Sequence, residues 1–482
     1  MRQAFVIAVA DLRLMLRSRL ALIGVATLLL LSGIAALTSA TQMAAAAKAR
    51  SAAQIATDEQ FKAQPSRHPH RMVHYGTYAL RPVGPLAAFD PGVDAFTGTV
   101  LFLEGHRQNS ATFGAARESS DLVRFGQLTP AFVLQTLAPL LLVFLGFAMV
   151  ARERESGSLR ALLAHGAGAR AILIGKSLAL SAIAMLALLP ALTALGWAAT
   201  QHPGEAGIAA LTALAYAGYL LIWVLGIVAV SALARTSQAA LVTLIAAWAL
   251  IVVLVPRAAA GWASIAAPLP SRVDTEIAIA ADLRRIGDSH NPNDPHFAAF
   301  KAQLLKKYDV TRTEDLPFNY RGALGQEGER LTSQLFKDYA ARADAIQNAQ
   351  SARLAAMGLL SPALAVRRAS MVGAATDMGT HLAFMSTAEA YRYDLVQRLN
   401  GLQASAVASA DDTARSRDPT AEQRTRISAD FWKTMPEFRF APLNPAARAT
   451  AMLPAMALLG LWLIAAIALL VLAKRRLEGP GA

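Results

Sequence analysis

The sequence predicts an all-α membrane protein with six transmembrane helices, an N-terminal interfacial helix and two large extracytoplasmic segments. Of the 482 residues, 55% are hydrophobic and only 16% are charged, and the mean hydropathy is +0.37. The apolar residues cluster in runs that exceed the roughly 18 residues needed to cross a bilayer core. Buried helices of soluble proteins are usually shorter and carry a polar stripe, so the pattern favours a membrane protein.

Residues 1–19 precede the first apolar run and predict an amphipathic helix. Phe5, Val9, Leu12 and Leu16 fall on one face at helical spacing. Such a helix can lie in the headgroup layer on the cytoplasmic side. A cationic signal-peptide segment is the alternative, but the following apolar stretch is longer than a signal peptide usually carries.

The six apolar runs differ in length but contain almost no ionisable side chain. The predicted spans are residues 20–42, 129–151, 175–199, 207–233, 237–255 and 449–473. Pro139, Pro190 and Pro454 fall inside spans, where neighbouring helices can satisfy the carbonyls that proline releases. Ion-coupled carriers usually need charged groups within the membrane, so the energy for any transport is expected to come from a partner.

Lysine and arginine set the predicted orientation. They lie before the first span, in the loop 152–174 and in the tail 474–482, whereas the short turn between the third and fourth spans has none. The positive-inside rule therefore places both termini in the cytoplasm. The segments 43–128 and 256–448 then lie on the outer side.

The two outer segments differ in pattern. The first begins as a helical extension of the first span to Gln64, and its stretches 75–80 and 99–103 predict short strands or irregular structure. The second is mostly helical, with a break at Ser361–Pro362, and its helices are expected to pack against each other outside the bilayer. Its two apolar stripes are Leu331, Leu335, Tyr339, Ala343 and Ile346, then Leu382, Met385, Ala388, Leu395, Leu399 and Leu402.

Composition excludes several classes of function. The net charge of +13 agrees with basic cytoplasmic loops, and we predict no nucleic-acid partner. The absence of cysteine excludes disulfides and thiolate metal sites. The triplet Gly175–Lys176–Ser177 is not a phosphate-binding loop, because that motif needs glycine where Arg170 stands. No catalytic set stands out, so we predict that the chain is not an enzyme.

The loop between the second and third spans is the most specific feature. Glu153 and Glu155 alternate with arginines, and Gly157 then precedes a short helix with an apolar face. Such a helix suits docking into a groove on a soluble partner. The alternative is that the loop is only a charged connector, with Glu153 and Glu155 at a solvent-exposed helix end. The apolar face consists of Leu159, Leu162 and Leu163.

Glu153–Arg160, with the following Arg170 and Gly175–Lys176, resembles the cytoplasmic loop of ABC-2 type permeases. The layout of spans resembles that family too, including its type V exporter-like membrane subunits. The second outer segment resembles the DUF3526 branch. The stretches that carry this likeness are Asn291–Pro292–Asn293–Asp294–Pro295, Glu314–Asp315–Leu316–Pro317, Asn319–Tyr320–Arg321–Gly322, Glu327–Gly328–Glu329–Arg330–Leu331 and Glu389–Ala390–Tyr391–Arg392–Tyr393.

The resemblance implies a bacterial inner-membrane exporter subunit with periplasmic outer segments. A second permease, identical or related, and two copies of an ABC ATPase that binds ATP and Mg²⁺ would complete it. Residues 156–165 would form the coupling helix and residues 1–19 the connecting helix. The implied ATPase-coupling residues are Glu153, Glu155, Gly157, Leu159, Arg160, Leu162, Leu163, Arg170 and Lys176.

The outer segments leave further partners open. A substrate or a periplasmic accessory protein could bind there, and the spans contact membrane lipid. The alternative function is a membrane-anchored binding or scaffold module without transport. A permease should be uncoupled by charge at the leucines of the loop helix, whereas a scaffold should tolerate it.

Histidines cluster in the first outer segment. His68, His70 and His74 have spacings that can place imidazoles around one metal, and His106 follows further on. Loop histidines beside proline also occur without a ligand role. The sequence therefore assigns no metal site and no cofactor to this chain, and these histidines remain candidates only.

Overall fold

The computed structural model describes residues 1–112, 128–287, 291 and 294–479. Residues 113–127 of the first outer segment, Pro292 and Asn293 of the first DUF3526-like stretch, and the end of the tail lie outside this description. Within the described residues, six helices are long and apolar enough to cross a membrane. The predicted all-α membrane fold with six spans is confirmed.

Two helices separated by one serine form the N-terminus. Helix α1 (Arg2–Arg17) ends at Ser18, which is extended, and α2 (Arg19–Lys62) begins directly after it. The Ser18 hydroxyl accepts a hydrogen bond from the backbone N–H of Ala21 at 3.4 Å, which caps the start of α2. Helix α2 continues well beyond residue 42, as the predicted helical extension of the first span requires.

The first outer segment combines a short helix with a hairpin. Helix α3 (Pro69–Tyr75) precedes β1 (Thr77–Leu80), which pairs antiparallel with β2 (Val100–Leu103). The predicted strand from Tyr75 starts two residues later, because Tyr75 completes α3. Pro69 occupies the first turn of this helix, where its missing N–H leaves no bond unmade.

The middle of the chain forms the bundle and the loop between the second and third spans, which is named the inner loop after its predicted side. A helical turn at Pro130–Phe132 and a π-helical segment at Val133–Leu137 lead into α4. The next elements are α4 (Ala138–Gly146), α5 (Ala151–Glu155), α6 (Ser158–Ala164), α7 (Ala169–Gln201) and α8 (Ala206–Leu233). Helix α8 lies at the centre, since its Tyr216, Tyr219 and Val224 are completely buried.

The fifth span is longer than the predicted 237–255. Helix α9 (Ser237–Trp248) continues through a π-helical segment, Ala249–Leu254, into α10 (Val255–Ala266). Pro256 does not end the helix, because it stands in the first turn after the π segment, where the backbone pattern has already changed.

The second outer segment is helical and is followed by the last span. Its elements are α11 (Arg272–Ile286), α12 (Pro295–Lys307), α13 (Tyr320–Ala356), α14 (Pro362–Ala374), α15 (Met378–Ala406), α16 (Ser409–Ala414), α17 (Pro419–Arg424) and α18 (Asp430–Lys433). The last span is α19 (Pro445–Glu478).

The turn between α13 and α14 corrects one expectation. The Ser361 hydroxyl donates to the Ile251 carbonyl in the fifth span at 2.6 Å, and the Trp462 indole N–H donates to the Gly358 carbonyl at 2.9 Å. Trp462 lies about 26 Å along α19 from Pro445. The helices of the second outer segment therefore pack on the spans as well as on each other, because this turn lies between two spans. Burial of most of α14 makes this insertion favourable.

Candidate functional site

Two short helices, α5 and α6, form the inner loop, and glycines shape it. Gly157 joins them with a φ of +75°, and Gly166 follows α6 with a φ of +84°. Both values lie in the left-handed region, where a side chain would be strained. The predicted helix over 156–165 is therefore shorter in the structure, where it spans Ser158–Ala164 between two glycine turns.

Helix α5 is tied to the turn between the fourth and fifth spans. The Arg154 guanidinium donates to the carbonyls of Ala232 at 2.7 Å and Ala234 at 2.5 Å, which lie at the end of α8. The Glu155 carboxylate accepts from the backbone N–H of Ser237 at 2.9 Å and from its hydroxyl at 2.6 Å. Each side chain satisfies groups that a helix terminus leaves without intrahelical partners. Glu155 was among the predicted coupling residues, whereas Arg154 was not.

Lys176 joins three helices beneath the loop. Its side chain is 1% exposed, and its ammonium group lies 2.7 Å from a Glu153 oxygen and 3.2 Å from an Asp11 oxygen. The three residues belong to α7, α5 and α1. Gly175 allows this approach, because a Cβ there would lie 2.7 Å from the Ala4 carbonyl oxygen in α1. The Gly–Lys pair thus docks the N-terminal helix.

The three leucines of α6 do not share one environment. Leu159 is 1% exposed and belongs to the core of the membrane bundle, Leu163 is half-buried against that core, and Leu162 is 37% exposed. The predicted apolar face is therefore divided into an inner anchor and an outer contact. Arg160 in α6 and Arg170 at the start of α7 are also exposed. The surface available to a partner consists of Leu162 and charged neighbours.

The two outer segments together form the outer domain. In this domain, the structure separates His68 from the other candidate histidines. His68 is buried and its Nε2 lies 3.1 Å from Asp412, while its Nδ1 accepts the backbone N–H of His70. Nδ1 is thus unprotonated and Nε2 carries the hydrogen. Burial opposes ionisation of Asp412, but hydrogen bonds from His68, Gln403 and Asn319 outweigh it and hold the carboxyl pKa well below its usual range.

His70, His74 and His106 form a separate group. One nitrogen from each lies within 4.8 Å of the others, and the Nε2 atoms of His70 and His74 are 3.2 Å apart. His106 comes from the turn after β2, and the sequence offered no spacing that would join it to α3. The mutual distances of the three imidazoles define this group.

A buried ion cluster holds two of the DUF3526-like stretches together. Arg392 lies 2.7 Å from Glu329 and 2.8 Å from Glu389, and all three side chains are almost fully buried. Burial alone would lower the pKa of Arg392, but the two carboxylates raise it above its usual value. These motif residues therefore shape the domain, since they face its interior.

Comparison with family models gives two matches. The model described as "ABC-2 family transporter protein" matches residues 5–304, which is more than half of the chain. The model described as "Domain of unknown function (DUF3526)" matches residues 272–441. The second match spans α11 to α18 and contains the buried ion cluster. No curated protein and no solved structure matches the chain.

Proposed function

Because the chain belongs to the ABC-2 transporter family and carries a DUF3526 domain, it is a permease subunit of an ABC transporter, and we propose that it is an exporter driven by a separate ATPase. In this proposal the ATPase docks on α6 from the cytoplasm. The chain itself supplies no ATP chemistry, and ATP and Mg²⁺ bind the partner.

The attachment of the inner loop is the observation that carries the proposal. Helix α5 is bonded to the turn between the fourth and fifth spans through Arg154 and Glu155, and to α1 and α7 through Lys176. Helix α6 adds the buried Leu159. A force applied to the exposed side of α6 is therefore transmitted through α5 to four other helices, which are α1, α7, α8 and α9. A connector without a transmitting role has no need of such anchoring.

The proposed assembly follows the family. Two such permeases, identical or related, pair in a bacterial inner membrane, and two ATPase subunits bind beneath them. Both termini and the inner loop lie in the cytoplasm, and the outer domains lie in the periplasm. The basic residues around the loop and the tail support this orientation.

Co-purification tests the central claim. The full chain, coexpressed with a candidate ABC ATPase from the same genome, should retain that ATPase in mild detergent and change its rate of ATP hydrolysis. A membrane-anchored scaffold, the alternative function, predicts neither result. Failure to retain any ATPase under mild conditions would contradict the proposal.

The absence of cysteine allows a direct test of orientation. Ser158→Cys in the loop and Ser428→Cys in the outer domain are both at exposed positions. A membrane-impermeant maleimide, added to cells with a permeabilised outer membrane, should label only Ser428→Cys. Labelling of Ser158→Cys without cell lysis would contradict the proposed orientation. Export further predicts ATP-dependent uptake of cytoplasmic compounds by inside-out vesicles that contain the complex.

A further inference from the structure

The group of His70, His74 and His106 has the dimensions of a metal site. Four ligands at about 2.0–2.1 Å from Zn²⁺ in a tetrahedron stand about 3.3 Å from each other. The Nε2 atoms of His70 and His74 are 3.2 Å apart, and the full group lies within 4.8 Å. Only a shift of about 1.5 Å in the widest pair is needed to reach tetrahedral spacing.

The local structure explains why these imidazoles meet. His70 and His74 stand one helical turn apart on α3, so both project from the same face. His106 follows β2 with a φ of +62°, a conformation that turns the chain back toward α3. The backbone N–H of Gly105 donates to the Val73 carbonyl at 3.1 Å, which fixes this turn against the helix.

A buried carboxylate supports the third histidine. The backbone N–H of His106 donates to Glu329 at 3.0 Å, and its Nδ1 lies 3.6 Å from the same oxygen. Metal-binding imidazoles commonly have a carboxylate beside the nitrogen that does not bind the ion. Glu329 is itself held by Arg392 at 2.7 Å, so the support belongs to the rigid core of the domain.

A cavity of about 710 Å³ borders this group and leaves one side open. His70 and His106 line it together with Lys301, Arg321 and Arg415, and its described lining contains no carboxylate. A fourth ligand from this side would be water or a small anion. An open position beside three histidines is the arrangement that proteins use when an ion must remain accessible.

We propose that His70, His74 and His106 bind one divalent transition-metal ion on the outer side of the membrane, with Zn²⁺ as the reference ion. Three imidazoles favour zinc, copper or nickel over Mg²⁺ and Ca²⁺, which prefer oxygen ligands. Binding would join α3 to the turn after β2. This inference is independent of the proposed export, because it concerns only residues of the outer domain.

The test uses the full-length protein in detergent, stripped of metal with a chelator. Zn²⁺ titration against a competing dye should give one ion per chain with a Kd of about 1 µM or below. His74→Gln, at an exposed position, should weaken binding by about 100-fold or more, since even supporting residues of such sites change affinity 10- to 100-fold. Co²⁺ should give the visible absorption of a tetrahedral site in the wild type only.

Two controls separate a site from general histidine binding. His202→Gln changes an exposed histidine in the turn between the third and fourth spans, and it should leave Zn²⁺ affinity unchanged. His106→Gln should behave as His74→Gln does. Equal Zn²⁺ affinity in the wild type and His74→Gln would overturn the proposal. So would a wild-type Kd above about 100 µM, which would mean that the close imidazoles only share a hydrogen bond.

Discussion

The inner loop and the outer domain both depend on buried charge, but they use it differently. Beneath the loop, Lys176 of α7 connects α5 with the distant helix α1, and the exposed α6 is attached to this junction. In the outer domain, Arg392 is enclosed by Glu329 and Glu389 within one packed unit. In the proposed function the first arrangement transmits a displacement between elements, whereas the second arrangement stabilises a single packed domain. We therefore expect loss of Arg392 to affect mainly folding, and loss of Lys176 to affect coupling as well as stability.

The largest effect is expected from Arg392→Met. This change leaves Glu329 and Glu389 buried without their cation, which should cost about 3–5 kcal/mol of domain stability. The thermal midpoint and the yield of folded protein should fall sharply. Arg398→Met is the matched control, because Arg398 pairs with Asp394 at the surface and should cost under about 1 kcal/mol. Similar losses in both variants would contradict the comparison.

Lys176→Met should have the next largest effect. It leaves the Asp11 and Glu153 carboxylates close together without the ammonium group, and a cost of about 2–3 kcal/mol is expected. Protease sensitivity of α1 and the coupled ATPase rate would measure it. Lys176→Met combined with Asp11→Asn should recover part of the loss. No recovery would show that the residues act independently.

Leu162→Glu should reduce partner binding without unfolding the chain. Leu162 is exposed, so its replacement affects the contact made by α6, and ATPase retention should fall roughly tenfold, or about 1.4 kcal/mol. Phe431→Glu is the control, since Phe431 is similarly exposed, at 40%, but lies in the outer domain. Leu159→Ala should differ from both by lowering stability, because it leaves a cavity in the core. Unchanged ATPase retention in Leu162→Glu would contradict docking of the ATPase on α6.

The smallest effect concerns pH. Burial, with Arg81 nearby, lowers the pKa of His381 to about 4 from its model-peptide value of 6.5. The unfolded chain binds this proton more readily, so the outer domain should lose stability as pH falls from 6.5 toward 4. The loss at pH 5 should be roughly 1 kcal/mol, after allowance for partial solvent screening. His381→Asn should flatten the dependence of the thermal midpoint on pH, and an unchanged slope would exclude His381 as its source.

Sequence patterns predicted features that depend on neighbouring residues. The six spans follow from long apolar runs, and the two short strands follow from β-branched and aromatic residues between turns. Gly157 marked the start of α6. The family resemblance, which rests on Glu153–Arg160 and the outer stretches, is confirmed by the two family models.

Contacts between distant parts of the chain were outside the reach of those patterns. No local pattern pairs Asp11 with Lys176 or His106 with His74, because each pair is separated by several elements. For the same reason, the position of Ser361 beside Ile251 could not be predicted. The apolar periodicity of a helix is the same whether the helix packs on soluble helices or on membrane spans. Leu159 and Leu162 also looked equivalent, because periodicity identifies a face without showing what covers it.

The sequence by itself determined that this protein crosses a membrane six times and carries an inner loop of the ABC-2 kind. These properties depend on the length of the apolar runs and on the local charge, and not on the packing of one helix against another. Only the tertiary structure decided which charges are buried together, which leucine remains exposed and which histidines converge. Those outcomes depend on the packing of α1, α3 and α14 against distant elements, and packing is a property of the whole fold.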